Sequence, residues 1–154
     1  MHLTKILRAA FLAAAAVLVC SVAFAQSAAA PQTPAGLDGK WLTKMSCPAK
    51  GSTEGYAWQF VSVIENSTLR GEHGATGEPG YLLIEGKIAQ DGSAKLAASG
   101  IVASRAYARG ILAHKGEEYS YDVKAKFTGN EGTGVRNAGL GVVGRPCTFD
   151  FTKQ

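Results

Sequence analysis

The chain has 154 residues, with 16 Lys or Arg against 12 Asp or Glu and a formal net charge of +4. This length suits one domain, and such a chain buries roughly two-thirds of its unfolded surface. Two of the basic residues precede an N-terminal apolar segment, so the rest of the chain carries 14 basic and 12 acidic side chains. That surplus is too small for the electrostatic footprint of a nucleic-acid-binding protein, and no nucleic-acid partner is expected.

The first 25 residues have the three-part pattern of a cleavable signal peptide. Lys5 and Arg8 form a basic start, residues 9–25 carry no charge, and Ala23-Phe24-Ala25 offers small residues to a signal peptidase. We expect cleavage before Gln26 and a periplasmic or secreted location. The apolar run is Ala-rich and shorter than the roughly 20 strongly apolar residues that cross a bilayer, so no stable membrane span is expected.

Cys20 raises the alternative of a lipoprotein, which is cut just before a cysteine that then carries lipid. The residue before it is Val19, where that peptidase needs a small residue. The Ala-Phe-Ala site fits better. We therefore expect Cys20 to leave with the signal peptide.

Two segments follow the signal peptide. Residues 26–37 form a small-residue leader with prolines, which we expect to be disordered, and residues 38–154 form one β domain. Cys47 and Cys147 lie near the two ends of this domain. An isolated pair in an oxidising compartment is more often bridged than free, so the sequence predicts a Cys47–Cys147 disulfide.

From Asp38 onward, short runs of alternating apolar and polar residues are separated by glycine-rich turns, which is the pattern of strands and hairpins. Asp91-Gly92 is the clearest hairpin turn. The alternation that begins at Tyr56 shifts toward Val61 and Val63, which predicts a bulge. Residues 104–115 fit either a helical turn or a strand, and we favour the strand.

Together these runs predict an all-β domain: a small antiparallel barrel or sandwich of about seven or eight strands. Strands with one apolar face each need a second face to bury against, and closure into a barrel also removes exposed edges. A bridge between the first and last strands fits a barrel whose two ends meet.

The motifs that suggest chemistry lack the context that the chemistry needs. Residues 139–144 read Gly-x-Gly-x-x-Gly, but Arg145-Pro146-Cys147 follows where a pyrophosphate-binding helix would begin. His73 and His114 are 41 positions apart, which is not metal-site spacing. We expect no metal, no cofactor and no catalytic residues.

The aromatic residues are the strongest functional lead. Seven of them share one face of the predicted strands, and we select five of these seven as candidate ligand-binding residues: Trp41, Tyr56, Trp58, Tyr119 and Tyr121. The simplest explanation is a core, since aromatic side chains dominate cores. The functional alternative is an aromatic-lined pocket at a barrel mouth that binds a small apolar or planar ligand.

Four arginines form a second set: Arg105, Arg109, Arg136 and Arg145. The simplest explanation is a solvated rim. The alternative is a surface for an anionic ligand or partner.

Two stretches resemble known proteins. Asp38-Gly39-Lys40-Trp41 resembles the Gly-x-Trp start of calycin-type barrels such as lipocalins, avidins and small secreted protease inhibitors. Residues 144–151 resemble the ending of short exported bacterial proteins of unknown function that combine a signal peptide with a small disulfide-clamped β domain. The first resemblance implies a calycin-like barrel and ligand binding, and the second implies no activity.

Three hypotheses follow for the function. The leading one is a non-catalytic exported β-barrel that binds a small ligand or a protein partner. The second is a secreted inhibitor or envelope-interaction protein that acts through an exposed loop, such as residues 71–80 or 129–144. The third is a small hydrolase, with Ser52 or Ser99 paired to a histidine.

Overall fold

The computed structural model describes residues 36–107, 114–136 and 146–154. They form eight β-strands and one short 3-10 helix, whose bounds in chain order are β1 Gly39–Cys47, β2 Tyr56–Glu65, β3 Thr68–His73, β4 Leu82–Lys87, β5 Ser93–Ile101, the 3-10 helix Arg105–Tyr107, β6 Glu118–Thr128, β7 Glu131–Arg136 and β8 Thr148–Lys153. Each strand pairs antiparallel with the next, and β8 pairs with β1 to close a barrel. The all-β prediction and the antiparallel barrel are confirmed.

Hairpin turns form where the sequence supplies residues that accept positive φ, and the predicted Asp91-Gly92 turn is one of them. Asn66 and Ser67, which join β2 to β3, have φ values of 49° and 63°. Gly92 has a φ of 84°, and the Asp91 carboxylate accepts hydrogen bonds from both the backbone and the hydroxyl of Ser93. These turns bring neighbouring strands together without a crossover.

The predicted bulge near Val61 is wrong. The pairing of β1 with β2 runs without a break from Gly39 opposite Ile64 to Cys47 opposite Tyr56. Val61 therefore stays on the outer wall, where it is 54% exposed, and Ser62 faces inward. The inward hydroxyl of Ser62 is hydrogen-bonded to that of Thr43 at 2.6 Å, and this buried pair satisfies polar groups at a position that alternation rules expect to be apolar.

Strand β7 was not predicted, because residues 129–144 were interpreted as a loop. Its inward positions are Gly132, Gly134 and Arg136, none of which has the bulky apolar side chain that signals a buried strand. A Cβ on Gly132 would lie 2.6 Å from the ring of Phe127, so the glycine leaves the space that this ring occupies. Because side chains alternate between the two faces of a strand, Arg136 faces the barrel interior like Gly132 and Gly134.

The preference for a strand over residues 104–115 is also wrong where the structure describes them. Arg105–Tyr107 is a 3-10 turn, and residues 114–117 form a second turn that leads into β6. Residues 108–113 lie outside the described residues. We call residues 102–107 the strap, because they leave β5 and reach the β1–β2 loop.

The register fixes how the interior is arranged. Following paired residues once around the barrel from Gly39 leads back to β1 at Cys47, eight residues further along. In barrels of eight strands with this stagger, inward side chains form layers of four, contributed by alternate strands, and fill the interior. The barrel is therefore packed over most of its length.

The packed part includes Trp41, which is fully buried. Its Nε1 donates to the carbonyl oxygen of Leu37 at 2.8 Å, and its ring meets that of Phe127 edge to face at 5.6 Å. Leu37 is only 2% exposed. The end of the predicted disordered leader is thus part of the core, and residues 26–35 lie outside the described residues.

The disulfide joins the two strands that close the barrel. Cys47 ends β1, Cys147 immediately precedes β8, and the two Cα atoms are 4.2 Å apart. This bridge confirms the predicted pairing and is compatible with an oxidising location. Among the described residues, no helix has the length and apolar character that a membrane crossing requires.

Candidate functional site

Six partly buried side chains face inward at the end of the barrel where β1 ends and β2 begins. We call them the mouth cluster: Tyr56, Trp58, His73, Tyr119, Tyr121 and Arg136. Below them, buried side chains such as Phe60, Ile84 and Val123 close the interior. The cluster therefore lines a shallow mouth above a filled core.

Paired aromatic rings line two sides of the mouth. On the β2–β3 side, the rings of Trp58 and His73 are stacked with centroids 4.3 Å apart, and Tyr56 lies 4.9 Å from Trp58. On the β6–β7 side, Tyr119 and Tyr121 are stacked at 5.9 Å. These paired rings present flat aromatic surfaces on both sides of the opening.

Arg136 is the cation of the mouth. Its guanidinium carbon lies 4.1 Å from the centroid of the Tyr121 ring, which is a cation–π contact. The layer that contains Arg136 also holds Met45, His73 and Ala98, and because β3 and β7 are four strands apart, His73 and Arg136 face each other. In the part of the chain that the structure describes, the mouth thus combines aromatic walls with one inward arginine.

The ion pairs that the structure describes do not include Arg136. Arg70 pairs with Glu72 and Glu85, Lys95 with Asp122, and Lys126 with Asp91, all through exposed side chains on the outer wall. Residues 1–35, 108–113 and 137–145 contain no Asp or Glu. Every side-chain carboxylate therefore belongs to the described part of the chain, and none of them lies within ion-pairing distance of Arg136.

Burial changes the acidity of the mouth tyrosines. Removal from water raises the pKa of Tyr121 and that of Tyr119 well above the usual 10.0, and the nearby Tyr56 adds to both shifts, while Arg136 opposes them. Tyr119 and Tyr121 therefore stay neutral, and able to donate hydrogen bonds, over the physiological pH range.

His73 has a defined orientation. Its Nδ1 lies 3.1 Å from the carbonyl oxygen of Gly80, and because a carbonyl can only accept, Nδ1 carries the proton. The β3–β4 loop that contains Gly80 is itself anchored, since the Gly80 nitrogen donates to the carbonyl of Ile101. The anchored loop thus holds the His73 ring, and with it the Trp58–His73 stack, in place.

The strap limits access to the mouth. The carbonyl of Ala106 accepts a hydrogen bond from the Glu54 nitrogen at 2.9 Å, and the ring of Tyr107 lies 5.3 Å from that of Tyr56. The strap comes from β5, while Glu54 and Tyr56 belong to the opposite side of the barrel. It therefore crosses above the aromatic rings and covers part of the opening.

A separate cleft of about 570 Å³ lies beside the β5–β6 end of the mouth. It is lined by Tyr81 of the β3–β4 loop, by Tyr119, and by Ser99, Glu118 and Ser120, which are outward residues of the wall. Inside the wall, Gly100 makes room for the Tyr119 side chain, because a Cβ there would lie 2.6 Å from its hydroxyl oxygen. The cleft and the mouth share Tyr119 as a common boundary.

The structure brings together most of the aromatic residues that the sequence singled out. Tyr56, Trp58, Tyr119 and Tyr121 meet at the mouth, whereas Trp41 packs near the opposite end of the barrel. Arg136 joins the mouth, and Arg105 is exposed on the strap. Arg109 and Arg145 lie outside the described residues.

His73 is a mouth residue that the sequence did not single out, since its spacing to His114 argued only against a metal site. The signal was present in the alternation of Leu69, Gly71 and His73, which puts the ring on the inner face of β3. Within the described ranges, no group of three His, Cys, Asp or Glu side chains could hold a metal ion.

No known protein-family model, curated protein or solved structure matches this chain. The chemistry of the mouth is therefore the basis for a functional proposal.

Proposed function

We propose that this protein is a non-catalytic, exported β-barrel that binds a small, flat, largely apolar ligand at its mouth. The observation that carries the proposal is the group of half-buried aromatic rings above a filled core. Aromatic side chains that are neither packed away nor freely exposed are typical of ligand pockets. The resemblance of residues 38–41 to calycin-type barrels supports the same function.

The packed interior limits the shape of the ligand and how deeply it can enter the barrel. Phe60, Ile84, Val123 and Phe149 form a buried layer just below the mouth, so a long chain cannot enter the barrel axis. A flat group placed between the Trp58–His73 stack and the Tyr119–Tyr121 stack would cover apolar surface on both faces. The ligand is therefore expected to lie across the mouth under the strap.

Export is part of the proposal. The first 25 residues have a signal-peptide pattern, and the intramolecular disulfide suits an oxidising compartment. A protein in the periplasm or outside the cell meets small molecules from the environment before they reach the cytoplasm. A binding role at that location needs no catalytic group.

An interaction through an exposed loop has less support. The β3–β4 loop, one of the two loops considered for it, presents Ala75, Thr76 and Glu78 to solvent and lacks an apolar tip. Most of the other loop candidate is strand β7 or lies outside the described residues. Ligand binding at the mouth therefore remains the leading proposal.

Native mass spectrometry of the oxidised protein, expressed from the full-length sequence and purified after export, tests the proposal. We expect an adduct that is lost in Trp58→Ala and kept in Val61→Ala, a matched change on the outward face of the same strand. Titration with the neutral fluorophore N-phenyl-1-naphthylamine gives a second readout. A bare monomer that also fails to bind this fluorophore would contradict the proposal.

A further inference from the structure

We propose that the ligand at the mouth is an organic anion, in which an acidic group is attached to the flat apolar body and pairs with Arg136. This inference rests on the proposed function and adds the charge of the ligand to it. It starts from the position of Arg136, which faces inward on β7 although arginine at an inward strand position carries a desolvation cost.

The surroundings of Arg136 leave its charge without a carboxylate partner. All side-chain carboxylates of the chain lie in the described residues, and the ion pairs that form among those residues join carboxylates to Arg70, Lys95 and Lys126 on the outer wall. Arg136 instead rests on the face of Tyr121. A partly buried guanidinium on an aromatic face keeps its planar set of N–H donors for an incoming carboxylate, sulfonate or phosphate.

The backbone fixes where this cation lies. The Arg136 nitrogen donates to the carbonyl of Cys147 at 2.9 Å, and Cys147 is bridged to Cys47 on the neighbouring strand. The residue is therefore held in the β7–β8 pairing, next to the strands that close the barrel, and not on a free loop end. A preorganised cation of this kind contributes more to affinity than a mobile surface lysine.

The other groups of the mouth agree with an anion. The pKa of Tyr119 and of Tyr121 is raised by burial, so both phenols keep their protons and neither adds negative charge beside Arg136. Glu118, the carboxylate next to Tyr119 in sequence, is exposed on the outer face of β6. The described inner surface of the mouth thus carries the positive charge of Arg136 beside neutral phenols, of which Tyr121 donates to the Met45 sulfur at 3.6 Å.

Two fluorophores with the same aromatic frame separate charge from shape. N-phenyl-1-naphthylamine is neutral, and 1-anilinonaphthalene-8-sulfonate is its sulfonated counterpart. We expect the sulfonate to bind about ten-fold more tightly or better, since a hydrogen bond to a charged group contributes on that order. Trp58→Ala should weaken both probes, which places them at the mouth.

The variant Arg136→Gln should bring the two affinities within about three-fold of each other, because the ion pair is lost while the aromatic walls remain. Arg136→Lys keeps the positive charge and should retain part of the preference for the sulfonated probe. This result would show that the effect of Arg136→Gln comes from the lost charge and not from misfolding. Lys124→Gln removes one positive charge from the outer wall of the adjacent strand and should change nothing.

The outcomes separate the two proposals. If neither probe binds, ligand binding at the mouth is wrong. If the neutral probe binds the unaltered protein as tightly as the sulfonate, or if Arg136→Gln keeps the full preference, the protein binds a flat ligand but the assignment of an anion to Arg136 is wrong.

Discussion

The indole of Trp58 and the imidazole of His73 are stacked face to face, with centroids 4.3 Å apart and planes inclined by only 5°. The two residues lie on neighbouring strands, and the hydrogen bond from His73 to Gly80 fixes the imidazole of the pair. The stack forms one wall of the mouth, so it reports directly on whatever enters there.

The chain has two tryptophans, and they report on opposite ends of the barrel. In Trp41→Phe, the remaining Trp58 should be quenched by acrylamide, and a mouth ligand should protect it. In Trp58→Phe, the remaining Trp41 should resist quenching with or without ligand, because it is fully buried. Equal quenching of the two variants would contradict the placement of Trp58 at the opening.

Burial of Tyr119 and Tyr121 predicts a loss of stability in alkali. Their pKa is raised in the folded state, so between pH 10 and the folded pKa the unfolded chain binds fewer protons than the folded one. The free energy of unfolding is therefore unaffected by these groups below about pH 10 and falls above it, by roughly 1.4 kcal/mol per pH unit for each tyrosine at most.

Urea denaturation at pH 8, 10 and 11 measures this effect. The variant Tyr119→Phe/Tyr121→Phe should show a smaller loss between pH 10 and 11 than the unaltered protein, because phenylalanine does not titrate. Lysines also lose protons in this range and affect both proteins alike. An identical pH dependence in the two proteins would show that these phenols ionise equally well in both states.

Sequence patterns were sufficient for the fold class and for the disulfide. Period-two alternation in β1 and β6 and turn residues at Asn66-Ser67 and Asp91-Gly92 identify paired strands from local chemistry alone. The bridge follows from the cysteine count. These features depend on residues that are close together in the chain or on a simple count, so a single sequence is enough to predict them.

The composition of the mouth depended on long-range pairing and could only partly be predicted. A strand whose inward residues are glycines has no alternation of apolar side chains for the sequence to reveal. The existence of β7 and the inward direction of Arg136 follow only from the pairing of β7 with β6 and β8. Trp41 and Trp58 look alike in sequence and differ in depth along the barrel. Depth is set by the eight-residue stagger, which no local pattern encodes.

The glycines of β7 predict a specific packing defect. A Cβ on Gly132 would lie 2.6 Å and 2.9 Å from ring carbons of the buried Phe127, so Gly132→Ala should lower the free energy of unfolding by about 1–3 kcal/mol. Urea denaturation checks the value. Thr133→Ala, on the outward face, is the matched control and should change stability little.

A second change tests the cause of that defect. Phe127→Leu reduces the ring to a smaller side chain, so the combination Phe127→Leu/Gly132→Ala should cost less than the two single changes added together. Strict additivity would show that Gly132 is needed for its backbone and not for the space it leaves to Phe127.

The disulfide should stabilise the barrel by closing its seam. Cys47 and Cys147 are both 1% exposed, so Cys47→Ala/Cys147→Ala removes the bridge without exposing a new polar group. We expect the free energy of unfolding to fall by about 2–4 kcal/mol, because the unfolded chain loses the constraint of a long closed loop. Urea denaturation with and without reductant measures the change, and reductant should have no effect on the double variant.

The same bridge should also affect the mouth. The backbone nitrogen of Arg136 donates to the carbonyl of Cys147, so loss of the bridge should let the end of β7 move and carry the guanidinium with it. This movement should reduce the preference for the sulfonated probe and leave the neutral probe less affected. The comparison must be made without urea, under conditions in which circular dichroism shows that the double variant is folded. A folded double variant that keeps the full preference would show that the β7–β8 pairing alone is enough to position Arg136.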